Sequence, residues 1–215
     1  MISDRSVDLP LVSREVIVAG NVVDVRRDVF ELNDSKVTRE YVLHPGAVGV
    51  IAVNDRGEML LIEQYRHPIS AFMWEPPAGL LDFPNEDPLV AAKRELLEET
   101  GYVATEWKVL FDFANSPGGS TEQLRCYLAK GLDLHTDGRP VGHDEELDMP
   151  VHWIPIQEVL ASIAAGLVTH PLLVAGTFAL LTALAEPELV VRPPDAQWAA
   201  RESVLLLERV RLPKE

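Results

Sequence analysis

The chain has 215 residues, 47% hydrophobic and 25% charged, which is enough apolar material for a packed core and excludes a disordered or collagen-like polymer. Its formal charge of −15, with Arg26-Arg27 the only adjacent arginine pair, argues against a nucleic-acid partner. The single Cys126 excludes an internal disulfide, the start Met1-Ile2-Ser3-Asp4-Arg5 lacks a signal pattern, and the apolar run 172–185 is too short to span a bilayer, so a cytoplasmic protein without a membrane partner is expected.

In chain order, strands are predicted at 15–18, 22–32, 37–43, 48–53 and 59–63, separated by turn signals at Ala19-Gly20-Asn21, Asn33-Asp34-Ser35 and Asn54-Asp55-Arg56-Gly57. A helix follows: Asp87 suits its N-cap, Pro88 its first position, and Gly101 its far end. On that helix Glu95, Glu98 and Glu99 share one face at i, i+3 and i+4, while Leu89, Val90, Leu96 and Leu97 are expected to face a core. A glutamate-rich face is most simply a solvated surface. The alternative is an oxygen-rich comb for a hard cation such as Mg²⁺. Like charges at this spacing cost about 0.2–0.5 kcal/mol per pair, which Arg94 or a metal ion offsets.

Two further strands, 108–113 and 123–129, flank the loop Asn115-Ser116-Pro117-Gly118-Gly119-Ser120-Thr121-Glu122. An acidic run, His143-Asp144-Glu145-Glu146-Leu147-Asp148, precedes a short strand at 151–154, and helices are predicted at 156–165, 171–185 and 195–210. The class is α/β with a mixed sheet between helices. Residues 1–45 read as an accessory β region, 46–190 as the main domain, and 191–215 as a C-terminal helical extension.

Gly79, six residues, Glu86, seven residues, then Arg94-Glu95-x-x-Glu98-Glu99-x-Gly101-Tyr102 strongly resembles the Nudix hydrolase box. The usual box has one residue fewer after its first glycine, and the extra residue here falls around Pro84-Asn85. Ser116-Pro117-Gly118-Gly119 with Glu122, and the runs Glu63-Gln64-Tyr65-Arg66-His67 and Trp74-Glu75-Pro76-Pro77-Ala78-Gly79, are similar to the bacterial ADP-ribose pyrophosphatase subgroup. Pro117 also stands at that subgroup's distance beyond Gly101. The resemblance covers roughly residues 15–190.

The resemblance implies a Nudix-type α/β/α sandwich with an N-terminal antiparallel accessory sheet. It implies Mg²⁺-dependent hydrolysis of ADP-ribose to AMP and ribose 5-phosphate by a homodimer, with Mn²⁺ as the alternative ion. Glu95 and Glu99 are then metal ligands, with Glu98 a third and the Ala78 carbonyl a fourth donor. Arg94 and Glu86 pair to hold the helix and the preceding loop in register. The general base comes from the acidic run, as Glu146 or its neighbour Glu145. Arg39, Glu40, Arg66, Leu80, Ser116, Pro117, Gly118 and Glu122 contact the nucleoside diphosphate sugar, Glu122 through the ribose or the metals. Two other readings stay open: cleavage of another nucleotide sugar or dinucleotide, and an ADP-ribose-sensing module without catalysis.

Overall fold

A computed structural model describes residues 2–140 and 149–209. Contacts divide them into two compact units, residues 2–46, 114–123 and 197–209 in the first and 47–113, 124–140 and 149–196 in the second.

The first unit is built on a three-stranded antiparallel sheet, β1 (Leu11–Ala19), β2 (Asp24–Leu32) and β3 (Ser35–Leu43), in that order. The β2–β3 turn has two central residues, Asn33 and Asp34, with φ of 50° and 57°. That left-handed pair matches the twist of the flanking strands, and Asn and Asp tolerate it better than other side chains. On one face Arg14 grips Asp28 through two hydrogen bonds of 2.9 and 2.6 Å, and the Tyr41 hydroxyl donates to the same carboxylate at 3.0 Å. These partners hold the Asp28 carboxyl below its ordinary range against the opposing effect of burial, which is the largest single influence on it. Residues of the 114–123 loop extend β3, with Val42 N–H donating to the Gly119 carbonyl and Thr121 N–H to that of Val42. Helix α5 (Ala199–Arg209) is tied to the end of β3 by Arg201, which donates to the Pro45 carbonyl at 2.7 Å.

The second unit centres on β4 (Ala47–Ala52), buried at every position. Its sheet runs β7 (Ala78–Leu80), β4, β9 (Gln123–Leu134), β8 (Tyr102–Ala114), with β4 parallel to β9 and antiparallel to β7. A second, antiparallel sheet orders β10 (Val151–Pro155), β5 (Glu58–Arg66) and β6 (Ala71–Glu75). Alternation along β4 gives it two apolar faces. Gly49 and Ile51 meet Leu172 and Gly176 of α3 (Pro171–Ala185), where an added Cβ on either glycine runs into the opposite side chain. Val48 and Val50 point the other way, and α1 (Pro88–Thr100) packs against β4 and β7. Helices α2 (Ile156–Ala164) and α3 share an apolar cluster with Met59, Leu61, Leu110 and Cys126. The Cys126 thiol is fully buried and pushed up by desolvation, which fits an inert core residue.

The mixed α/β architecture expected from the sequence is present, and the predicted helix at 171–185 has those bounds. Four details differ. Beyond the expected N-terminal antiparallel sheet, the strands fall into two sheets instead of one mixed sheet. Strands β6 and β7, on either side of Pro76-Pro77, are additional to those predicted. The last helix begins at Ala199 instead of 195, because Pro193-Pro194 start a turn closed by Ala196 N–H on the Pro193 carbonyl. A four-residue helix, α4 (Pro187–Val190), was not anticipated. Among the described residues no helix is long and apolar enough to cross a membrane.

Candidate active site

Helix α1 starts and stops where local chemistry dictates. The Asp87 carboxylate accepts from the N–H groups of Leu89 and Val90 at 2.9 and 3.3 Å, Pro88 follows, and Gly101 closes the end with φ 77°. Arg139 supports the C-terminus, donating to the Glu98 and Met149 carbonyls at 3.1 and 2.8 Å.

The orientation of α1 corrects the expected core face. Ala91, Ala92 and Leu96 are buried, but Val90 is 55% exposed, and Glu95 and Glu99 lie on the buried side at 7% and 4%. The carboxylates therefore face the protein, against β7. Ala78 N–H donates to Glu99 Oε2 at 2.9 Å, and the Glu95 carboxylate lies directly over the Cα of Gly79, in space that a Cβ would fill. Strand β7 is fixed in turn by β4, through Val48↔Gly79 and Gly49↔Ala78 pairing and the Val50 N–H bond to the Pro77 carbonyl. Gly79→Ala is expected to displace Glu95, costing about 1–3 kcal/mol of stability. It should also remove most turnover; far-UV melting and a product assay on the same sample check both.

Arg94 organises the remaining charge. Its Nε and Nη2 fork onto Glu86 at 3.0 Å each, while Nη1 donates to Glu95 at 2.6 Å and Glu98 at 3.0 Å. The Glu86 bonds are the main reason its guanidinium is held far above the usual arginine range. The extra box residue is absorbed in the turn Phe83–Glu86, with Asn85 at φ 62° and Glu86 N–H on the Phe83 carbonyl, so Glu86 still reaches Arg94. Glu98, with 41% side-chain exposure, is the open member of the group.

Three carboxylates on one guanidinium, with the buried Glu99 one turn beyond Glu95 on the same helix, form an oxygen-only donor set with surplus negative charge, and that chemistry fits a hard divalent cation. The glycine cradle under Glu95 and the Ala78 anchor of Glu99 hold these donors in place. Among the described residues no three carboxylate or imidazole groups already converge as a cage, since Arg94 draws Glu95 and Glu98 to itself.

The expected substrate contacts separate into two groups. In the first unit Arg39, Pro117 and Gly118 line one recess of about 310 Å³, together with Asp28, Phe30, Tyr41 and Thr121. Ser116 shapes that loop by accepting from Gly119 and Ser120 N–H at 2.9 Å each, and Glu122 accepts from the Asn115 amide at 2.9 Å. Glu40 is not with them. It opposes Arg27 on the other face of the sheet and accepts from it at 2.9 and 2.6 Å, because neighbours in a strand point to opposite sides. In the second unit Leu80 is half-buried in β7, and Arg66 closes β5 with its side chain on Glu75. Glu145 and Glu146 lie outside the described residues.

The NUDIX domain family matches residues 43–170, most of the second unit and the whole carboxylate helix. The chain belongs to the Nudix family. A Mycobacterium tuberculosis protein named ADP-ribose pyrophosphatase is 39% identical over 206 residues, covering 94% of this chain and 97% of its own. A Bacillus subtilis protein of the same name is 36% identical, covering 67% of this chain and 78% of its own. A crystal structure described as an ADP compounds hydrolase superposes with a TM-score of 0.70 over 85% of this chain and 97% of its own, and at 21% identity it supports the Nudix fold alone. The Nudix chain is a divalent-metal-dependent pyrophosphohydrolase, and Glu95, Glu98 and Glu99 stand on its Nudix helix.

Proposed function

We propose that the chain hydrolyses the diphosphate linkage of ADP-ribose, giving AMP and ribose 5-phosphate, with Mg²⁺ as the working ion and Mn²⁺ as the alternative. The observation that carries this reading is the likeness to the mycobacterial ADP-ribose pyrophosphatase, which spans 94% of the chain and so includes the accessory sheet as well as the Nudix region. Glu95 and Glu99, with Glu98 and the Ala78 carbonyl, hold the cation. When bound, a divalent ion polarises phosphoryl oxygens and lowers the pKa of coordinated water. Arg66 and Leu80 in the second unit contact the substrate, as do Arg39, Ser116, Pro117, Gly118 and Glu122 in the first, while the general base is Glu146 or Glu145. Glu40 is a further contact in this reading, although its side chain pairs with Arg27 on the opposite face from Arg39.

The enzyme acts on a small nucleotide sugar in the cytoplasm, without a nucleic-acid or membrane partner, and as a homodimer through the first unit. Exposed Leu11, Val12, Val16, Ile17 and Val18 on β1 support the last point, since an apolar strand of this length is normally covered. A solution mass of two chains is expected by light scattering, and a mass of one chain removes the dimer.

AMP release from ADP-ribose with and without Mg²⁺, beside NADH, diadenosine polyphosphates and UDP- or GDP-sugars, tests the assignment. Preferred turnover of another panel member keeps the chemistry and discards the substrate. Tight ADP-ribose binding without cleavage of any compound makes the chain a sensor.

A further inference from the structure

Arg66 leaves the end of β5 and lays its guanidinium back along the strand pair, where Nε and Nη2 grip the two oxygens of Glu75 at 2.8 and 2.5 Å. The register explains the reach. Arg66 opposes Ala71 and Glu75 opposes Ile62, so both lie on one face of the antiparallel pair but well apart along it, a gap that only a long side chain closes. His170, immediately before α3, brings Nε2 to 3.3 Å from the same Glu75 oxygen.

Burial within this group is lopsided. The Glu75 side chain is 1% exposed, whereas that of Arg66 keeps 39%. Burying a carboxylate this completely carries a desolvation cost of several kcal/mol, and an ion pair whose other half stays wet recovers it poorly. Stability alone is therefore a weak reason for the pair. A buried carboxylate gripping one edge of a part-exposed guanidinium does something else: it fixes the plane and direction of the fork, which matters when the arginine must meet phosphate oxygens. Only Pro76-Pro77 separate Glu75 from Ala78, so the group that holds Arg66 and the strand that holds Glu95 and Glu99 belong to one short stiff segment.

We propose that Glu75, braced by His170, is a positioning residue that aims Arg66 at the diphosphate of the substrate. The inference rests on the ADP-ribose reading above and on Arg66 as a phosphate contact. Neither Glu75 nor His170 touches the reacting atoms in this scheme; both act through Arg66.

The test is steady-state kinetics with ADP-ribose and Mg²⁺ on the full chain, comparing Glu75→Gln, Arg66→Ala, the double variant and His170→Gln. Glu75→Gln and Arg66→Ala are each expected to raise KM about tenfold or more with kcat within about threefold, and the double variant should be no worse than Arg66→Ala alone. A residue with a merely structural role lowers the amount of active enzyme and leaves KM in place. Wild-type KM in Glu75→Gln, or losses in the double variant equal to the product of the two single losses, overturns the positioning role. If Glu75→Gln does not fold, His170→Gln decides: a several-fold rise in KM at retained kcat supports the role, and an unchanged KM overturns it. Wild-type enzyme that fails to turn over ADP-ribose sinks the substrate reading and this inference together, whereas active wild type with additive variants sinks this inference alone.

Discussion

Replacing Glu99 by glutamine is expected to lower metal-dependent turnover of ADP-ribose by at least about 10²-fold with little loss of stability, since outer groups around a metal already cost 10–100-fold when removed. Glu99 is 4% exposed and accepts the Ala78 N–H at 2.9 Å. Glutamine has the same shape and keeps a carbonyl oxygen for that bond, so β7 and α1 stay joined and only the negative charge disappears. The change therefore isolates cation holding from packing, which Glu99→Ala does not. Initial rates across a Mg²⁺ titration, with thermal unfolding on the same preparation, provide the check. A rate recovered at high Mg²⁺ means that affinity was lost. Turnover within tenfold of wild type at every Mg²⁺ concentration removes Glu99 from the ligand set.

The parts of this site readable in the sequence are those governed by neighbours along the chain. Asp87, Pro88 and Gly101 specify the ends of α1 through backbone chemistry that needs no tertiary partner, and Glu86 reaches Arg94 because the intervening turn absorbs the extra residue at Asn85. The face of α1 was misread for a physical reason. Apolar periodicity assigns glutamates to water, but here small Ala91 and Ala92 let the helix approach the sheet, and Gly79 leaves room for the Glu95 carboxylate beneath it. Arg39 and Glu40 were grouped on the family resemblance, and the two-residue period of a strand sends them to opposite faces of the sheet. Glu75 lies in a run that resembles the subgroup but carries no role there, and only the three-dimensional register brings Arg66 and His170 onto it.

Glu146→Gln is expected to lower kcat by about 10²–10⁴-fold while leaving KM and the Mg²⁺ dependence nearly unchanged, the range typical of losing a general base. The carboxylates of the Nudix helix and of the turn before it are committed elsewhere: Glu86 takes Nε and Nη2 of Arg94, Glu95 and Glu98 share its Nη1, and Glu99 accepts from Ala78. A base must instead reach the attacking water directly and be free to take its proton. That requirement sends the search to the other dense run of acid in the chain, Asp144-Glu145-Glu146-Leu147-Asp148. Ionisation of the base sets the low-pH limb of the rate profile, so its removal should flatten that limb as well as lower the plateau. Glu145→Gln, made in parallel, is expected to cost less than about tenfold, because a carboxylate one position from the base meets the water poorly. The opposite ranking moves the base to Glu145. Small, equal losses in both variants, with the low-pH limb intact, place the base outside this run and return the search to the described carboxylates, beginning with Glu98, whose side chain is the most open of the helix group.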